Sequence, residues 1–145
     1  MKKEEIQPNT IYYTTNLSTL IKVVEKTDLV KNSDLLQSDF IKLLGVYIVN
    51  KSGMVLVSFG EDGELNGCLV ISRHLDKWGE YIFIDFAWID SHYPHLKEKF
   101  YEEVITTCKD RGIKRIQMRM SKGEKAMRHL YGTRVIGKIL EKKVE

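Results

Sequence analysis

Cysteine and proline are scarce in this chain, and long apolar runs are missing. Its 145 residues include two cysteines and only two prolines, Pro8 and Pro94. No Pro-rich or Ser/Gly-rich linker divides it, and it has no internal repeat or low-complexity tract. One domain over residues 1–145 is the expectation, with residues 1–12 as a flexible N-terminal segment. Cys68 and Cys108 sit inside apolar runs with no paired or metal-binding spacing, so they read as reduced, buried thiols. Such usage suits a cytoplasmic setting. No stretch approaches the roughly 18 apolar residues of a membrane span, so no membrane partner is expected. The start, Met1-Lys2-Lys3-Glu4-Glu5, carries both charge signs and lacks the apolar core of a secretory signal.

Several chemical signatures are missing too. There is no Walker-type phosphate loop, dinucleotide glycine fingerprint, His-Glu-x-x-His or nucleophile elbow. His92 and His95 stand three apart without a further ligand at suitable spacing, so no metal site is expected. His74 and His129 are isolated and read as surface histidines.

Apolar residues make up 43% of the chain, enough for one sizeable core. The overall charge of +3 hides an asymmetry. Residues 1–90 hold 9 Lys and Arg against 13 Asp and Glu, a balance of −4. Residues 91–145 hold 14 against 7, a balance of +7. The basic part is where an anionic partner would bind: a phosphorylated cofactor, an acidic peptide or nucleic acid. The same charges also suit a solvated face without a specific partner.

Apolar spacing predicts a helix over residues 17–29, with Asn16 or Ser18 as its cap, and a second from Asp34 to the turn at residues 50–53, with Leu36, Phe40, Leu43, Leu44, Tyr47 and Ile48 at spacings of three and four. Strand-like runs follow at residues 54–59, 67–72 and 81–89, joined by short turns as an antiparallel meander. The clearest helix runs from Pro94 to Arg111, with Leu96, Phe100, Tyr101, Val104, Ile105 and Cys108 on its apolar stripe and Gly112 to cap it. Ile116, Met118 and Met120 then alternate with polar residues, which predicts a strand parallel to the one before the helix. A short helix over residues 124–131 and a last strand over 134–143 complete an α/β order, a mixed sheet flanked by helices.

This order resembles the GNAT family of acetyltransferases over residues 17–143. The stretch from Trp88-Ile89-Asp90 through the long helix to Gly112, the helix carrying Tyr131, and the closing strand from Val135 carry the likeness. The resemblance implies a GNAT-like fold, acetyl-CoA as cofactor and an amine as acceptor. It implies that strand backbone at Trp88 and Ile89 polarises the thioester carbonyl, and that Tyr131 protonates the leaving thiolate. It also places the cofactor phosphates at the start of the long helix, near His95, Leu96, Lys97 and Lys99. The family's glycine-rich pattern is missing there: Ser91-His92-Tyr93-Pro94-His95-Leu96 contains no glycine. The Gly-Phe pair that often follows the tyrosine is absent as well, since Gly132-Thr133 follows Tyr131.

Asp85 lies mid-strand in Ile82-Phe83-Ile84-Asp85-Phe86-Ala87-Trp88. A carboxyl buried in such surroundings holds its proton more tightly, which suits a general base. Alternation places it on the face of Phe83, Ala87 and Ile89. Glu80 and Asp90 are further candidates. Each residue also has a plainer role: Tyr131 as a packed aromatic, Asp85 as a structural hydrogen-bond acceptor. Two functions from different classes follow. One is acetyl transfer from acetyl-CoA to an amine. The other is a GNAT-like scaffold without catalysis or cofactor, a structural or interaction subunit of a larger, even viral, assembly. That subunit would meet a protein partner or a second copy of itself. A third expectation is nucleic-acid binding through the basic C-terminal part.

Overall fold

A computed structural model describes residues 6–30 and 36–118. Tyr131 and the last predicted helix and strand lie outside these residues.

The elements are β1 (Tyr12–Tyr13), α1 (Leu17–Glu25), a 3-10 turn (Lys26–Leu29), α2 (Gln37–Asn50), β2 (Gly53–Phe59), β3 (Leu65–Asp76), β4 (Gly79–Ile89), α3 (Leu96–Arg111) and β5 (Ile116–Met118). They build a five-stranded sheet in the order β1-β2-β3-β4-β5. Neighbours are antiparallel except β4 and β5, which run parallel. The sheet is therefore mixed, and helices cover it.

Local chemistry explains the boundaries. Asn16 caps α1, its side chain accepting from the Thr19 amide at 3.2 Å. Leu20, Val23 and Val24 then face inward at helical spacing. Gly112 ends α3 at φ 66°, a left-handed cap that glycine adopts without a Cβ clash. Between β3 and β4, the Asp76 carboxylate accepts from the Trp78 amide at 2.9 Å and closes the hairpin.

Two cores lie on opposite faces of the sheet. One joins α1 and α2 to Val55, Val57, Cys68, Val70 and Phe86. Phe40 meets Phe86 there edge to face at 5.7 Å, a geometry contributing about 0.5–1.5 kcal/mol beyond area burial. The other packs Leu96, Phe100, Val104 and Cys108 of α3 beneath Leu56, Leu69, Ile71 and Ile82. The two cysteines thus sit in different cores, both as free thiols.

Candidate active site

The β3–β4 ladder contains one irregularity that matters for chemistry. Val70 pairs with Phe86 and Ile71 with Ile84, so Asp85 is the extra residue of a β-bulge. A bulge bends its strand and re-aims a side chain. Simple alternation therefore fails at Asp85. The carboxylate shares the α2 face with Phe86, where the Tyr47 hydroxyl donates to Asp85 Oδ1 at 3.3 Å. Ile89 packs in the α3 core instead.

β4 pairs with β5 in parallel from Ile82 to Ile84, as far as Met118, the last of the described residues.

Burial pushes the Tyr47 phenol up, a Ser72 hydrogen bond opposes that, and the Asp85 charge adds to it. Ser72 is buried, and its Oγ lies 2.7 Å from His74 Nε2. His74 is exposed and stacks on Tyr81 at 5.2 Å. Gly53 makes room for Tyr47, since a Cβ there would stand 2.5 Å from the phenol ring.

The other two carboxylates are otherwise engaged. Glu80 pairs with Arg73 at 2.6 Å. The Asp90 carboxylate accepts from the His92 amide at 2.9 Å and meets His92 Nδ1 at 2.7 Å. These bonds, the amide's first, hold the Asp90 carboxyl below its ordinary range.

The remaining sequence candidates divide between the two faces. Trp88 packs against the α1–α2 core, with Lys26 Nζ 4.7 Å from its ring centroid. His95 is the exposed N-cap of α3, and Leu96 is fully buried beneath the sheet. Lys97 is half-buried. Lys99 Nζ donates to the Asn9 carbonyl at 2.9 Å. Four amides of the loop into α3 are committed to turn bonds. His92 donates to the Asp90 side chain, Tyr93 to the Asp90 carbonyl, Leu96 to Tyr93 and Lys97 to Pro94.

Sequence reasoning missed the Tyr47 contact to Asp85 and the Ser72–His74 contact. Tyr47 read as one more apolar-face residue and His74 as an isolated histidine. Tyr47 and Asp85 are 38 positions apart, so no motif spacing joins them. Ser72 and His74 at i and i+2 share a strand face, which is the one local signal available.

A cleft of about 560 Å³ lies elsewhere, bordered by Tyr13, Ile48, Ser72, Arg73, Thr107 and Arg111 among others. Asp85, Trp88 and Ile89 do not line it. Among the described residues, no group of three or more His, Cys, Asp or Glu is placed to hold a metal ion, and no helix is long and apolar enough to cross a membrane.

No protein-family model and no curated protein sequence matches this chain. Solved structures do. Glucosamine-6-phosphate N-acetyltransferase from Arabidopsis thaliana superposes with a TM-score of 0.68 at 15% identity, covering 94% of this chain and 99% of that one. A predicted acetyltransferase from Clostridium acetobutylicum, solved with acetyl-CoA, gives 0.70 at 14% identity, covering 92% and 96%. An acetyltransferase from Trypanosoma brucei gives 0.69 at 13% identity, covering 92% and 98%. At such identities the likeness establishes the fold: this chain has the GNAT fold of acetyltransferases.

Proposed function

We propose that the chain is an N-acyltransferase that moves an acetyl group from acetyl-CoA to an amine. The observation carrying this reading is the bulge at Asp85. It aims a carboxylate of β4 toward the Tyr47 hydroxyl on the α2 face, within the fold that acetyltransferases share. Acetyl-CoA supplies the acyl group already activated as a thioester. Asp85 takes the proton of the attacking amine, because a protonated amine has no lone pair to offer. Main-chain groups of β4 near Trp88 and Ile89 orient the carbonyl and stabilise charge on its oxygen. Tyr131 holds the proton that the departing thiolate requires.

The loop into α3 contains no glycine and does not form a glycine cradle. Its committed amides, which include the first two of α3, leave phosphate binding to the side chains of His95, Lys97 and Lys99. That same observation favours a second reading, a GNAT-like scaffold that binds a protein partner and catalyses nothing.

Release of free thiol from acetyl-CoA, followed with a mixture of primary amines, tests the enzyme. Turnover is expected, falling on the order of 100-fold in Asp85→Asn. Equal turnover in Asp85→Asn and wild type would remove Asp85 from the role of base.

A further inference from the structure

We propose that the cleft where α2 passes into β2 is a binding site for a small organic anion, a carboxylate carried on an apolar chain. This site is independent of the acyltransfer reading. The cleft has a volume of about 560 Å³, within the roughly 300–1,000 Å³ of sites that hold small molecules. Lys51, the cap of α2, and Arg111, the last residue of α3, both border it. The end proposed above for cofactor phosphates is the start of α3. That helix has 16 residues, which sets its two ends roughly 24 Å apart.

Charge selects the ligand's head group. Among the described residues, the lining holds three cations, Lys51, Arg73 and Arg111, and no carboxylate. Arg73 is already paired with Glu80 at 2.6 Å. The side chains of Lys51 and Arg111 are exposed and have no ion-pair partner among the described residues. A cation at a helix C-terminus also offsets the helix dipole. Here backbone amides cap the last carbonyls instead: Ser52 donates to Tyr47 at 3.0 Å, and Ile113 to Cys108 at 2.8 Å. Both charged groups are thus left to a ligand, and a guanidinium fork with an ammonium beside it suits a carboxylate.

The wall selects the ligand's body. Ile71 and Ile82 are buried and Ile48 and Met54 half-buried where they line the cleft. Covering such surface with hydrocarbon removes it from water. Inorganic phosphate would meet the charges and leave this wall unused, and an uncharged chain would do the reverse. Lys51 stands at φ 55°, the left-handed region that glycine or asparagine fills most readily. The cleft therefore carries a lysine where the backbone favours a residue without charge, as strained positions at binding sites do.

Calorimetric titration of the whole chain with decanoate, decanol and inorganic phosphate tests the site. Decanoate is expected to bind with a Kd on the order of 0.1 mM, and decanol and phosphate at least about tenfold more weakly. Lys51→Gly and Arg111→Gln should each weaken decanoate about fivefold, as loss of one exposed ion pair does. Lys51→Gly also suits the left-handed backbone, so its denaturation midpoint should not fall. In an NMR spectrum of methyl-labelled methionine, decanoate should shift the Met54 signal. Decanol or phosphate binding as tightly as decanoate would overturn the proposal. So would decanoate affinity unchanged in either variant, an unmoved Met54 methyl, or no heat at millimolar decanoate. None of these outcomes bears on thiol release from acetyl-CoA, so acyltransfer stands or falls separately.

Discussion

Burial pushes the Cys68 thiol up to about 12, in the core between the sheet and α1–α2. The thiolate is the reactive form, and on the order of one part in ten thousand would be present at about pH 8. Cys108 is raised in the same direction by burial beneath α3. An aromatic disulfide reagent should therefore label neither thiol in the folded protein and both after denaturation. Rapid labelling of the folded chain would mean that these cores open readily. The buried character of both cysteines was legible from their apolar neighbours. The partners of Asp85 were not. Its candidacy came from a lone carboxylate in an apolar run, but its facing depends on a register shift. A β-bulge is a property of two strands together, so alternation within one strand placed Asp85 with Ala87 and Ile89.

At the scale of elements, the β2 start and α2 are coupled through Gly53. A Cβ at that position would stand 2.5 Å from the Tyr47 ring and 2.8 Å from the Ile71 carbonyl oxygen. Gly53→Ala should cost about 1–3 kcal/mol of stability, as overpacking does, and displace the phenol from Asp85. Chemical denaturation reads the first effect and thiol release from acetyl-CoA the second. An unchanged midpoint would mean that α2 yields freely.

Arg115 joins the approach to β5 to the β3–β4 hairpin by donating to Asp76, at 2.5 Å for the shorter bond, and to the Gly79 carbonyl at 2.7 Å. The Arg115 hydrogen bonds, foremost among several contacts, hold the Asp76 carboxyl below its ordinary range. A carboxyl depressed by folding stabilises the fold above its unfolded pKa, and that contribution is lost as pH falls through the folded value. In Arg115→Met, the Asp76 titration followed by NMR should move up toward the ordinary range. An unmoved titration would assign the depression to the hairpin amides.

Element types and order were legible because burial imposes clear periods. The long helix with its Gly112 stop, the antiparallel meander and the parallel return strand all stand as read. Two features escaped. β1 is two residues long, too short to show a period, and is held by its pairing with Val57 and Leu56. Leu36 and Leu43 fit the apolar spacing of α2 yet are exposed, because only Phe40 and Leu44 reach full burial against the sheet.

For the whole molecule, the charge asymmetry and the fold make a joint claim. The chain's basic part begins at the loop into α3, the end of the fold proposed to receive cofactor phosphates. Coulomb attraction there would be screened by salt, so affinity for a phosphorylated ligand should weaken as ionic strength rises. Amides committed to turn bonds set a limit on how tightly such a ligand is held, since each would have to exchange a partner. The acyltransfer reading nevertheless requires binding, because Asp85 has no work to do without an acyl donor. Calorimetric titration with acetyl-CoA at low and moderate salt tests this most directly. Saturable binding with a Kd near the micromolar range, about −8 kcal/mol, weakening with salt, is the result predicted. No heat of binding at millimolar acetyl-CoA would contradict it and leave the non-catalytic scaffold as the function of this fold.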